Sequence, residues 1–413
     1  MNTTKIREDF PRLWQGDNLI YLDNASTSLK PKQVLDAERD YYEKIGAQIG
    51  RGTHKSAFRA GEMVHESRKE IANFIGAKET EIIFTKNATE GINIVANSLE
   101  RKKYFKKGDE IIISAAEHHA NLIPWQQLCL RTGAKLKIVN LNEDFTLNFE
   151  DFEEKVSRRT KLVAMGHAFN TVASIIPASE IGKIAHENKA LFLLDGAQTT
   201  PDLPVNVKKL NCDFFVFSGH KMLGPTGVGC LYMEENLIEK MPAHNFGGGT
   251  IKKVEYAKTE FLKTMEKFEP GTYPIAQIIG FGEAVKYLKK IGMENIREHE
   301  QKLLKHFLKK TQEIPSLNLY CPCDEKKQRA IVLFELAGVD PLDLASALDE
   351  AKNIAIRSGM HCAEPIVSSI NKQGLARASF YLYNTIEEID VLTDEVTAIS
   401  KAVQKSGKKH LES

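Results

Sequence analysis

Between residues 80 and 233, short and nearly all-apolar runs alternate with longer stretches whose apolar positions recur at helical spacing. The apolar runs are Glu81–Thr85, Glu110–Ser114, Lys135–Asn140, Leu162–His167, Ala190–Asp195, Phe214–Ser218 and Gly229–Met233. A strand covered on both faces loses the alternation of a half-exposed one and reads as a continuous hydrophobic run. Most runs are separated by enough chain for a crossover helix, as in Ala120–Arg131 and Ser179–Asn188. That rhythm predicts an α/β domain on a mostly parallel sheet. The last two runs are too close for a crossover, which leaves the final strand free to run antiparallel.

Beyond Ile275 the pattern changes. It predicts helices over Ile275–Ile291 and Glu294–Glu313, a strand at Ala330–Leu336, a helix at Pro341–Asp349, strands at Ile354–Ser358 and Arg377–Ser379, and a last helix over Thr385–Val403. This is a smaller α+β unit, reached through a continuous helix with no low-complexity linker. The expected organisation is an N-terminal segment over 1–20 packing with the small domain, a large α/β domain over 21–285, and a small C-terminal domain over 286–413 that carries Cys362. Two domains also suit a chain of 413 residues.

Charge alters this picture little. The 56 basic and 55 acidic residues leave a net +1 and are interspersed, as on a solvated surface, so neither nucleic acid nor another polyanion is an expected partner. The Lys-rich end (Lys401, Lys405, Lys408, Lys409) reads as a soluble terminus. The opening MNTTKIREDF has early acids and no apolar core, and no apolar run approaches the roughly 20 residues of a membrane span. The expectation is a cytoplasmic protein without a membrane partner. Six scattered cysteines make no disulfide framework. Cys129, Cys212 and Cys230 read as core or sub-surface residues, and the Cys321–Cys323 pair has no second pair or nearby His to complete a zinc set.

In open α/β sheets ligands bind beyond the carboxyl ends of the strands, so the polar residues that follow each apolar run carry the chemistry. The run LFLLDGAQ ends in Asp195, followed by two small residues that permit close approach. The run FFVFSGHK ends in Lys221, set between buried sequence and the tight turn of GPTGVG. A lysine there is costly unless something uses it. Together the pair suits pyridoxal phosphate, with the Lys221 amine forming the Schiff base and Asp195 keeping the pyridinium nitrogen protonated. Ser218 and His220 flank the lysine and can hydrogen-bond a phosphate. EIIFTKNATEGIN passes from a strand into a helix, where amides and the Thr89 hydroxyl make an anion seat. In EHHANLIPWQ the adjacent His118 and His119 point in different directions, so one of them at most faces a ligand, where it could stack on the ring and move protons near neutral pH. Cys362 lies in SGMHCAEP after a predicted strand. It is expected to be exposed and mobile, with His361 and Arg357 placed to favour its thiolate.

These runs, with FGGGTI, FEPGTYP and RSGMHCAEP, stand in the order seen in the class V aminotransferase family. The sequence resembles the SufS-type cysteine desulfurases, which are grouped with selenocysteine lyases, from about Phe10 to Ala402. The resemblance implies a fold-type-I pyridoxal-phosphate transferase with a large, mostly parallel seven-stranded sheet domain, a smaller α+β domain, and a homodimer with the site at its interface. It implies Lys221 as the Schiff-base lysine, Asp195 on the pyridine nitrogen, Gln198 on the ring oxygen and His118 stacked on the ring. Thr89, Ser218 and His220 would hold the phosphate, with Thr272 of the neighbouring subunit. Asn170 and Arg377 match positions that grip the substrate carboxylate, Arg357 matches an active-site arginine, and Cys362 matches the cysteine that takes the sulfur.

The implied activity is conversion of L-cysteine to L-alanine with a persulfide on Cys362, which then passes to a sulfur-acceptor protein for iron–sulfur cluster or other cofactor assembly. The alternatives are cleavage of L-selenocysteine, another reaction of the same cofactor such as transamination or epimerisation, and a non-catalytic partner protein that keeps the fold. The sequence departs from the family pattern at Met360 before His361, at Thr171-Val172-Ala173 after Asn170, at Ile49-Gly50-Arg51-Gly52, and after Thr272, where the commoner Pro-Asn is missing.

Overall fold

The computed structural model describes residues 1–50, 52–314 and 316–411; Arg51, one of the departures just named, lies outside them. Seven strands make the main sheet: β1 (Ile82–Thr85), β2 (Glu110–Ser114), β3 (Lys135–Val139), β4 (Thr160–Gly166), β5 (Leu191–Asp195), β6 (Phe214–Ser218) and β7 (Gly229–Met233). Their order is β1-β7-β6-β5-β4-β2-β3. All neighbours are parallel except β7, which runs antiparallel to both β6 and β1.

Successive residues of each inner strand point to opposite faces, and both faces are covered. Phe192, Leu194, Phe215 and Phe217 join one core, whereas Leu193, Phe214 and Val216 join the other. The first core is shared with the helices Lys55–Ile75, Ala178–Glu187 and Ile275–Ile291, and the second with Ala88–Arg101 and Ile123–Thr132. Only β3, at the edge, carries exposed positions, at Lys135 and Ile138. The expected helix Ala120–Arg131 is broken at its start. A 3₁₀ turn over His119–Asn121 precedes Ile123–Thr132, with Pro124 in the first turn of the α-helix.

A second sheet is antiparallel throughout: β8 (Leu317–Leu319), β9 (Ile331–Leu336), β10 (Arg357–Gly359) and β11 (Leu375–Ser379), in the order β8-β9-β11-β10. The single strand expected over Ile354–Ser358 is in fact two. Ile354 and Ala355 pair in parallel with Ile20 and Tyr21, and the chain then turns into β10 against β11. The run serves two partners in different sheets, which local periodicity cannot separate. The N-terminal segment reaches across as well, with Arg7 bonded to the Tyr383 carbonyl and to Glu388. The last helix runs from Ile386 to Leu411, beyond the predicted end at Val403.

Candidate active site

Because β1, β2, β4, β5 and β6 point the same way, their carboxyl ends form one edge of the main sheet. After β2 the chain moves out to β3 and returns as β4 on the other side of β2, so the crossovers reverse there and open a crevice. A cavity of about 280 Å³ lies in this place. It collects Thr89 after β1, His118 after β2, Asn170 after β4, Asp195 and Gln198 at the end of β5, and Ser218, His220 and Lys221 at the end of β6. The small sheet closes it with Arg357, Cys362 and Arg377. Every predicted site residue lines the cavity except Thr272. That residue sits beside a separate cavity of about 210 Å³, where its hydroxyl accepts from Gln48 Nε2 at 3.4 Å.

The turns are shaped for close approach. A Cβ on Gly196, next to Asp195, would fall 1.9 Å from the Phe215 ring, so only glycine fits. Gly229 lets β7 pass 2.7 Å from Asn87 at the start of the helix Ala88–Arg101, measured from the Cβ it lacks. At that helix start Asn87 Oδ1 accepts from Glu90 N at 2.9 Å, and Ser218 Oγ accepts from Ala88 N at 2.9 Å. The Ser218 hydroxyl keeps its proton to donate to an anion.

Electrostatics separate the roles. Burial lowers the Lys221 amine to about 8, against the opposing pull of Asp195. Burial also raises Asp195, whose Oδ1 takes one bond from Ala197 N at 2.9 Å. A half-satisfied buried carboxylate calls for a proton-bearing cation beside it. Since attack on an aldehyde needs the neutral amine, covalent capture of pyridoxal phosphate by the apo protein is expected to speed up about tenfold between pH 7 and 9 and then level off, the neutral fraction saturating above a pKa of about 8. Stopped-flow absorbance across pH checks this; a flat profile would place the capturing amine elsewhere.

His118 differs from its expectation. Burial, then the nearby Lys221, lowers it to about 3, so it does not titrate near neutral pH. Its Nδ1 accepts from Ala120 N at 3.0 Å, which puts the proton of the neutral ring on Nε2 and makes that atom a donor. His119 turns away, with its Nε2 accepting from Glu364 N at 3.2 Å.

Across the small sheet, Arg357 and Arg377 are direct partners in the β10–β11 register. Like charges so placed repel, and one carboxylate, Asp23, lies between them, 3.6 Å from Arg357 Nη1 and 3.1 Å from Arg377 Nη2. Arg377 is 2% exposed and also bonds Ser26 Oγ and the Asn170 carbonyl. Two guanidiniums against one carboxylate leave a positive charge facing the cavity, the complement of a substrate carboxylate.

The Cys362 turn also departs from expectation. The side chain is exposed, but the backbone around it is tied. His119 N donates to the Cys362 carbonyl at 2.7 Å, Asn170 Nδ2 to the His361 carbonyl at 2.7 Å, and His361 Nε2 to the Leu375 carbonyl at 2.9 Å. Asn170 therefore holds this turn and, through its own carbonyl, Arg377. His361 is lowered to about 3 by burial and then by Arg377, so it is neutral and lends the thiolate no charge, contrary to the sequence expectation. Both His361 and Cys362 have left-handed φ, 52° and 54°, a conformation that costs non-glycine residues roughly 1–2 kcal/mol each and gathers at functional sites.

Three buried polar atoms in the lining have no partner among the described residues: Asn170 Oδ1, His361 Nδ1 and Arg377 Nε. With the under-satisfied Asp195, they fit a cavity made for a polar guest. Pyridoxal phosphate suits this donor set, with Lys221 for its aldehyde, Asp195 for its ring nitrogen, and Ser218, His220, Thr89 and the helix start for its phosphate.

Glu117 is a lining residue the sequence reading passed over. Its buried carboxyl accepts from Ser114 Oγ at 2.6 Å, from Asn121 Nδ2 at 2.7 Å and from Gly166 N at 3.0 Å. Burial nonetheless raises it to about 7. It ties the ends of β2 and β4 together beneath His118. Asp23 and Ser26, which position Arg377, were missed as well. The one signal for Glu117 is a carboxylate three residues past the end of the strand that carries Ile111–Ile113.

The family model described as aminotransferase class-V matches residues 20–392. A probable cysteine desulfurase of Halalkalibacterium halodurans is 43% identical over 396 residues, covering 95% of this chain and 96% of that protein. The apo structure of a cysteine desulfurase from Thermococcus onnurineus superposes with a TM-score of 0.93 at 38% identity, covering 97% of this chain and 98% of that one. A crystal structure of the cysteine desulfurase CsdA from Escherichia coli gives 0.89 at 31%, covering 96% and 98%. The matched span takes in both sheets and every residue that lines the cavity, and the chain belongs to the class-V aminotransferase family.

Proposed function

We propose that this protein is a pyridoxal-phosphate-dependent cysteine desulfurase, converting L-cysteine to L-alanine and leaving the sulfur as a persulfide on Cys362. The observation that carries the reading is the convergence of Lys221, Asp195, an arginine pair and an exposed cysteine thiol on one cavity of about 280 Å³. Bound there, the cofactor supplies an electron sink that weakens bonds at the substrate's α- and β-carbons.

The chain's own residues do the rest. With the cofactor bound, Asp195 would hold a proton on the ring nitrogen, Gln198 would hydrogen-bond the ring oxygen, and Thr89, Ser218 and His220 would seat the phosphate. Arg377 and Arg357 take the substrate carboxylate. The neutral Lys221 Nζ removes the proton from the substrate's α-carbon, and the proton on His118 Nε2 is available for return. The Cys362 thiolate attacks the substrate sulfur. The carbon–sulfur bond breaks, its electrons stay with carbon, which takes up a proton to become alanine, and a sulfur–sulfur bond forms on Cys362. A thiol of an acceptor protein then discharges the persulfide by exchange. The same reading makes the active unit a homodimer, with Thr272, which does not line its own chain's cavity, completing the partner's phosphate seat. Sulfur delivery to iron–sulfur cluster or other cofactor assembly follows as the role.

The test is release of L-alanine and sulfide from L-cysteine with a reductant present. Equal amounts are expected, and transfer of the amino group to a keto acid without sulfide would overturn the reading. Arg377→Ala is expected to raise KM for L-cysteine about 10–150-fold while leaving the absorbance of the bound cofactor in place, since a hydrogen bond to a charged group contributes about 1.5–3 kcal/mol. Steady-state kinetics check it; an unchanged KM would move the carboxylate site to Arg357.

A further inference from the structure

We propose that Cys321 and Cys323 form a redox-active dithiol that exchanges with small-molecule disulfides, Cys323 attacking and Cys321 resolving. The pair stands apart from the cavity and takes no part in the reaction above. It follows β8 as Cys-Pro-Cys, and the two sulfurs face each other at 3.8 Å. Pro322 restricts the backbone between them, and Cys323 sits in the left-handed region with φ 55°. The segment is therefore held with both thiols on one side. A disulfide needs about 2.05 Å between sulfurs, so closure has to bring them in from 3.8 Å.

The two thiols are unequal in the way exchange requires. Cys321 is 5% exposed and packed in the small core, whereas Cys323 is exposed. The two sulfurs can share one proton, either of them acting as donor, and this contact holds Cys323 below the ordinary thiol value and Cys321 above it. The accessible sulfur is thus the better nucleophile and the buried one the reserve. Cys212 and Cys230, by contrast, are buried with their thiols pushed up by burial.

The chemistry balances without another reagent. The Cys323 thiolate attacks one sulfur of a disulfide RSSR, breaking that bond, forming a mixed disulfide and expelling RS⁻. Cys321, giving its proton to solvent, attacks Cys323 Sγ and expels the second RS⁻. The two cysteines are oxidised and the disulfide is reduced to two thiols. The loop that carries the pair is joined to the segment that follows Asn170 in the cavity wall. Ile175 N donates to the Lys327 carbonyl at 2.9 Å, and Arg329 N to the Ala173 carbonyl at 3.0 Å. Oxidation therefore acts on a loop bonded to the segment that follows the lining residue Asn170.

The test uses the reduced holoenzyme, treated with oxidised glutathione, alkylated and peptide-mapped. In wild type the peptide holding both cysteines is expected to be unalkylated and lighter by two hydrogens, and to regain its thiols with dithiothreitol. Cys321→Ser is expected to stop at a glutathione adduct on Cys323, and Cys323→Ser to leave Cys321 free. The proposal is overturned if both cysteines of the wild type are alkylated while Cys362 carries glutathione, if a mixed disulfide on Cys323 persists in the wild type, or if the two variants behave alike. None of these outcomes depends on which amino acid the enzyme cleaves.

Discussion

Lys221→Ala is expected to abolish turnover of L-cysteine, by at least about 10³-fold, because it removes both the covalent anchor of the cofactor and the group that moves the α-proton, and a positioned acid–base group alone contributes about 10²–10⁴-fold. Among the described residues no other lysine lines the cavity, so none of them can take over. The variant should nevertheless fold. The amine it loses is one that burial disfavours in its charged form. Its pKa is lowered in the folded state, so the unfolded chain binds that proton more readily, and wild-type stability rises with pH between about 8 and the ordinary lysine value near 10.5. Apo Lys221→Ala should therefore lack that rise and be no less stable than apo wild type at neutral pH, as thermal melts at several pH values would show. Borohydride reduction followed by peptide mapping gives the covalent readout. The adduct is expected on Lys221 in the wild type and nowhere in the variant, and an adduct on Lys30 with retained turnover would overturn the assignment.

What the sequence made legible follows from how many constraints each residue meets locally. Strands such as Phe214–Ser218 are buried on both faces, and their ends fall where an unbroken apolar run meets Gly219. The polar residues after such runs had to gather at one edge of a parallel sheet, so Asp195 and Lys221 could be paired without knowing a single distance. The Cys362 side was less legible. Ile354–Ser358 reads as one strand, and its division between Ile20–Tyr21 and β11 depends on partners far away in the chain. The arginines at 357 and 377 are brought opposite each other only by that pairing, and against Asp23, which arrives from the opposite end of the sequence. His361 looked like a charge for the thiolate because it is adjacent in sequence. Burial and the proximity of Arg377 keep it neutral, and only the fold supplies both.

Cys362→Ala is expected to keep the cofactor and bind L-cysteine, yet release alanine at least about 10²-fold more slowly, the loss being that of a nucleophile and not of the fold. An alanine shares the Cβ of the cysteine and so meets the same left-handed backbone at φ 54°. The side chain removed is exposed, so stability should change by no more than about 0.5 kcal/mol. The turn is held by the His119 amide, by Asn170 and by the His361–Leu375 bond, none of which uses the thiol. Wild type treated with L-cysteine without reductant should carry one extra sulfur on the peptide containing Cys362, removable by a thiol; the variant should carry none there. L-selenocysteine separates this from the alternative reading. Selenium leaves carbon more readily than sulfur, so cleavage that needs no protein nucleophile would survive the substitution. Retained selenocysteine cleavage with lost cysteine cleavage assigns Cys362 to attack on sulfur. If the variant desulfurates L-cysteine at the wild-type rate, Cys362 is not the acceptor, and the convergence of thiol, amine and arginine pair on one cavity serves another reaction of the same cofactor.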